Sequence, residues 1–189
     1  MQVDWGDGVS ETLDVVAGER SFSTSHQYVE DGQFTIDVTV LDDDTGSVTG
    51  STTIGVINAA PMNLVIDPVQ MITEGDTALL SLSFDDPGGN DPHTVTVDWG
   101  DGSDPEVFNL APGVQSITEG HQYADDMPDG PGETPYSIDV TVADADGESV
   151  SGSTTVLVKN ASPTVLFVRQ PEMIDESGTA ELLVAFADP

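Results

Sequence analysis

Most of the side chains capable of chemistry here are carboxylates. Asp85-Asp86-Pro87-Gly88-Gly89-Asn90-Asp91 forms one acidic loop and Asp144-Ala145-Asp146-Gly147 another, with Asp42-Asp43-Asp44 as an earlier counterpart of the second. Clustered carboxylate, amide and backbone oxygens suit Ca²⁺, which takes 6–8 oxygen ligands. Neither loop has EF-hand spacing, and Asp-Gly turns are also ordinary hairpin chemistry, so a calcium site and plain solvated turns both stand as readings. His26 and His121 each precede Gln-Tyr. A catalytic histidine needs a nucleophile and an orienting acid and has no reason to recur in tandem, so a histidine hydrogen-bonded to a turn is expected; His93 is assigned no role. Trp5 and Trp99 have the parity of neighbouring valines, which predicts core aromatics rather than a sugar-stacking platform.

These residues sit in repeats. Val3-Asp4-Trp5-Gly6-Asp7-Gly8 returns at Val97 to Gly102, His26-Gln27-Tyr28 at His121 to Tyr123, and Ile36-Asp37-Val38-Thr39-Val40 at Ile138 to Val142. Asn58-Ala59-Ala60-Pro61 returns as Asn160-Ala161-Ser162-Pro163, and residues 61–87 match 163–189. The repeat is about 100 residues long, its later part being lengthened by the Pro, Gly and Asp-rich loop Asp125 to Thr134. The Asn-Ala-x-Pro segments read as linkers, since proline favours extended backbone and cannot donate to a ladder. Asn160-Ala161-Ser162 also fits an N-glycosylation pattern, which the linker reading explains better. Three segments follow: 1–60, the C-terminal part of a unit; 61–162, a complete unit; and 163–189, the N-terminal two strands of a further unit.

Within the complete unit apolar residues alternate. Ala78, Leu80, Leu82 and Phe84 share one face; Val95, Val97 and Trp99 another; Ile138, Val140 and Val142 a third. Period two marks half-buried antiparallel strands. About seven short strands per unit predict an all-β fold of tandem immunoglobulin-like β-sandwiches. In such a sandwich the two acidic loops lie at the end where the preceding linker arrives. The candidate metal ligands are therefore Asn58, Asp85, Asp86, Asp91, Asp144 and Asp146.

Composition bounds the partners. The chain has 189 residues, 35 acidic against three basic (Arg20, Lys159 and Arg169), a net charge of −32 and no cysteine. Phosphate binding needs clustered Lys and Arg, so nucleic acid and anionic membranes are not expected. No apolar run approaches the roughly 18 residues of a membrane span, and disulfides and thiolate metal sites are excluded. Met1 to Trp5 runs straight into a strand pattern without a signal peptide, so either an intracellular chain or an excerpt of something longer is expected.

Taken together, Trp-Gly-Asp-Gly, His-Gln-Tyr, Ile-Asp-Val-Thr-Val and the Asp-rich turn resemble the PKD (polycystic kidney disease) domain family, in its acidic bacterial tandem-repeat form. The resemblance covers essentially the whole chain. It implies a seven-stranded sandwich, extracellular or cell-surface placement, and stalk, spacer or adhesive roles without catalysis. Some bacterial members bind Ca²⁺ near the linker and the loop after the second strand, which here implicates Asn58, Asp85, Asp86 and Asp91, with Asn160 and Asp188 kept in the third unit. The expected function is a stiff stalk or head-to-tail filament supported by Ca²⁺; the alternative is an adhesin or carbohydrate-binding accessory module. The expected partners are neighbouring units of one long chain, or other copies of this chain, the tail 163–189 of one completing the head 1–60 of the next.

Overall fold

The computed structural model describes residues 1–126, 132–169 and 173–187. Among these there is no helix, and the chain is all-β. Four strands come from the head: β1 (Gln2–Asp4), β2 (Ser10–Thr12), β3 (Gly32–Leu41) and β4 (Ser47–Val56). They form one antiparallel sheet in the order β2-β1-β3-β4.

The next eight strands are β5 (Met62–Ile66), β6 (Ile72–Thr73), β7 (Thr77–Asp85), β8 (His93–Asp98), β9 (Glu106–Leu110), β10 (Ser116–Gln122), β11 (Glu133–Ala143) and β12 (Ser149–Lys159). They make two sheets, β10-β7-β5 and β6-β12-β11-β8-β9. The count exceeds the expected seven by β6, a two-residue strand that pairs in parallel with the end of β12. The alternation read from the sequence is the burial pattern observed. Ala78, Leu80, Leu82 and Phe84 of one sheet and Val95, Val97, Ile138, Val140, Val142, Val156 and Val158 of the other enclose a single core with Trp99 and Tyr123. Each side chain of Val or Leu size buried there contributes about 1.5–3 kcal/mol. The tail adds a hairpin, β13 (Thr164–Arg169) and β14 (Leu183–Ala187). No helix among the described residues is long and apolar enough to cross a membrane.

The repeated motif is a structural clasp. Asp98 Oδ1 accepts from Gly100 N (2.9 Å), and Asp101 Oδ1 from Ser103 N (3.0 Å), closing the turn after β8. Gly100 has φ +76°, and a Cβ there would run into the carbonyl of Ser137. His121 stacks on Trp99 with ring centroids 4.8 Å apart and bonds Asp101 Oδ2 through Nε2 at 2.7 Å. Tyr123 Oη donates to the Trp99 carbonyl (2.8 Å). The head repeats the arrangement: His26 stacks on Trp5 and bonds Asp7 (2.6 Å), and Tyr28 Oη donates to the Trp5 carbonyl (2.9 Å). Trp99 is fully buried and Trp5 nearly so, so these aromatics hold the turn and offer no stacking platform. The hydrogen bond from His26 holds the Asp7 carboxyl below the usual range. Burial pushes Asp101 up, but hydrogen bonds from Ser103 and His121 outweigh it and leave that carboxyl low as well.

Candidate metal-binding joint

The loop between β11 and β12 is built by one carboxylate. Asp144 N donates to the Glu148 carbonyl (3.0 Å), and Asp144 Oδ1 accepts from the backbone N–H groups of Asp146, Gly147 and Glu148 (3.0, 2.8 and 3.0 Å). Gly147 takes the left-handed conformation, φ +99°. A short polar side chain capping its own turn in this way is what Asp-x-Asp-Gly encodes. The second oxygen of Asp144 faces the linker, where Asn58 Nδ2 donates to it (2.7 Å) and to Glu148 Oε2 (3.0 Å). The joint between the head and the next unit is therefore bridged by side chains 86 residues apart.

The loop after β7 is equally self-satisfied at its root. Asp86 is buried; its Oδ1 accepts from Gly88 N (2.8 Å) and its Oδ2 meets His93 Nε2 (2.7 Å). Gln115 Nε2 donates to the Asp86 carbonyl (3.0 Å). Asp91 lies over Gly88, where a Cβ would stand 2.6 Å from its Oδ2. Burial, then the charges of Glu30, Asp86, Asp146 and Asp144, push the Asp91 carboxyl above its ordinary value. Asp31, then partial burial, then Asp144 and Glu148, push Asp146 up likewise. The charges of two acids of the head thus bear on two acids of the following unit.

Of the six candidates, the structure brings Asn58, Asp86, Asp91, Asp144 and Asp146 to one end of the unit. Asp85 is on the opposite face of its strand, exposed, with its Oδ2 accepting from Asn63 Nδ2 (2.9 Å). Strand parity separates it from its neighbour: Phe84 and Asp86 point inward, so Asp85 points out. Asp188 lies outside the described residues. Glu30, Asp31 and Glu148 belong to the cluster and were not expected from the sequence.

A second acidic group occupies the other end of the unit. Carboxylate oxygens of Glu74, Asp125 and Asp126 lie within 4.8 Å of one another. Glu74 accepts from Asp126 N (3.0 Å) and Ala161 N (2.7 Å), and these two backbone bonds hold its carboxyl low. Burial, then Glu74 and Asp125, push Asp126 up. Ala161 is in the second linker, so both linkers are gripped by acidic side chains. Asp125-Asp126 follows the clasp tyrosine as Glu30-Asp31 does in the head. That recurrence was visible in the sequence; Glu74 was not, because only the fold brings it there.

No protein-family model matches the chain, and no curated protein matches it.

Among the described residues, the one group whose carboxylate oxygens converge closely enough to share a cation is Glu74, Asp125 and Asp126. At the Asn58 joint, Asp86 and Asp144 spend their oxygens on hydrogen bonds to the loops and to Asn58 and His93. Asp91 and Asp146 are the joint carboxylates a cation would relieve, since the charges of Glu30 and Asp31 act on them.

Proposed function

We propose that this chain is a non-enzymatic structural segment of an extracellular array of PKD-like units, whose acidic joints bind Ca²⁺ and hold successive units in line. The observation that carries the reading is the joint itself: Asn58 bridges the linker to Asp144 and Glu148, while the charges of Glu30 and Asp31 bear on Asp91 and Asp146. Four acids held together without a counter-ion repel, and a divalent ion that binds only the folded joint stabilises it by mass action. Asp91, Asp146, Glu30 and Asp31 are the charges such an ion would neutralise, and Asn58 ties the linker to the loop that carries Asp146. The motif resemblance supports the same role. Against an accessory carbohydrate module, both tryptophans are consumed by the clasp. The test is calorimetry in excess Ca²⁺ against EGTA. A raised midpoint that Asp91→Asn and Asp146→Asn together abolish is expected; an unchanged midpoint at matched ionic strength overturns the calcium joint.

A further inference from the structure

His93 is a polar side chain in an apolar place. It opens β8, whose inward residues Val95 and Val97 are fully buried, and its ring meets Phe84 edge to face with centroids 4.8 Å apart. The side chains of His93 and Asp86 are both 0% exposed and lie 2.7 Å apart. That contact uses one ring nitrogen, Nε2; the other, Nδ1, has no hydrogen-bond partner among the described residues.

Packing gives no reason for this pair. An apolar residue at position 93 would fill the space beside Phe84 without an orphaned nitrogen, and a buried charge pair is often matched in stability by apolar residues of similar volume. What a buried polar pair adds over apolar packing is a fixed geometry.

The geometry fixed here is that of the acidic loop between β7 and β8. Asp86 opens the loop and His93 closes it, so their contact pins both ends. Within it, Asp86 Oδ1 accepts from Gly88 N (2.8 Å), and Asp91 N donates to the Gly88 carbonyl (2.9 Å). Asp86 and Asp91 each precede a proline, which biases their backbone toward extended conformations. A Cβ on Gly88 would stand 2.6 Å from Asp91 Oδ2 and 3.3 Å from Asp86 Oδ1, so the two carboxylates are set over the same glycine. They differ in what surrounds them: Asp86 is engaged within the core, whereas Asp91 feels the charges of Glu30, Asp146 and Asp144 at the joint.

We infer that His93 is a positioning residue of the calcium joint: by engaging Asp86 inside the core, it sets the loop that presents Asp91 to the ion. This rests on the calcium reading above and makes the affinity of the joint depend on a residue that no ion touches.

The test is calorimetric titration of the whole chain with CaCl₂, at one pH and ionic strength and well below the unfolding transition. The affinity followed is the one that Asp91→Asn and Asp146→Asn together abolish. Thermal scans in EGTA give the stability of the metal-free fold alongside. His93→Leu should weaken Ca²⁺ binding about tenfold, the lower end of the loss when a metal site loses an outer-shell partner. His93→Gln, which returns an amide Nε2 toward Asp86, should recover most of that affinity. His93→Leu also leaves a carboxylate buried without its partner, so its midpoint in EGTA should fall. Adding Asp86→Leu removes that charge; the double variant should regain most of the midpoint yet bind Ca²⁺ as weakly as His93→Leu. With a merely structural histidine, affinity would return together with stability. If His93→Leu does not fold, the double variant and His93→Gln carry the same comparison. A parent that takes up no Ca²⁺ overturns the joint and this inference with it. A parent that binds, beside a His93→Leu or double variant that binds as tightly, overturns this inference alone.

Discussion

Asn58 and Asp144, 86 residues apart in sequence, are joined by a 2.7 Å hydrogen bond that ties the first linker to the turn of the following unit. The carboxylate is already fixed by three backbone N–H groups, so the linker is tied to a preorganised acceptor. A hydrogen bond to a charged group contributes about 1.5–3 kcal/mol, less where water can replace the donor. Asn58→Ala should therefore lower the stability of the joint by about 1 kcal/mol and weaken calcium binding. Urea unfolding followed by tryptophan fluorescence, with and without Ca²⁺, reads both. Equal midpoints for parent and variant in both buffers would show that the bridge bears no weight.

Stability should peak in mild acid when divalent ions are absent. Asp91 and Asp146 have carboxyls raised above 3.8 in the folded chain. A raised group contributes stability that is complete below its unfolded value and is lost as pH rises through the folded one. Asp7 and Asp101 are lowered, so their contribution is present above 3.8 and lost as pH falls through their folded values. In EGTA these groups should accordingly place the highest thermal midpoint near pH 3.8, with a decline as pH rises through the raised values of Asp91 and Asp146. Ca²⁺ should flatten the decline on the neutral side. A midpoint that climbs steadily from acid to pH 8 in EGTA contradicts this account of the joint.

The clasp should behave as one unit. Trp99→Ala removes a fully buried aromatic and should cost roughly 3–5 kcal/mol. Tyr123→Phe leaves the Trp99 carbonyl without its donor and should cost about 1–3 kcal/mol. Because both residues serve the same turn, the double variant should cost measurably less than the sum, as expected for contacting residues. Strict additivity in denaturant titrations would separate the tyrosine from the tryptophan energetically.

Two glycines of the same turn should respond differently to alanine. Gly100 and Gly102 both have positive φ, +76° and +87°. A Cβ on Gly102 meets nothing within 4 Å, so Gly102→Ala should cost only the left-handed backbone penalty, about 1–2 kcal/mol. Gly100→Ala carries the same penalty and also drives a methyl into the Ser137 carbonyl on β11, so it should be clearly the worse. Equal midpoint losses would mean that the β8 turn can shift away from β11 without cost.

Period-two alternation made the strands, the core and the parity of Trp99 legible in the sequence, because burial on one face of a sheet constrains every second residue. The same rule, applied one residue further, separates Asp85 from Asp86; grouping them as one acidic loop overrode it. Glu74 could not be found that way, since it meets Asp125 and Asp126 only through tertiary pairing: Gly75 N donates to the Tyr123 carbonyl and Glu74 N to that of Lys159. His93 has no counterpart within residues 1–60, so repetition gave it no signal. Its pairing with Asp86 in the core, beside Phe84, is a product of tertiary packing alone.

The last prediction concerns a strand that is absent. In the complete unit, residues 116–122 form β10 because β7 lies beside them, with Ile117 opposite Leu82 and Gln122 opposite Thr77. Their counterparts 21–27 carry the same His-Gln ending but form no strand. Local sequence is alike; the ladder partner is not there, and an unpaired segment leaves its N–H groups to water. Hydrogen exchange by mass spectrometry should therefore show residues 21–27 of this chain exchanging much faster than 116–122, although both carry the His-Gln ending. Equal protection of the two segments would mean that 21–27 finds a ladder partner elsewhere in the chain, and that its sequence does not need β7 or an equivalent beside it.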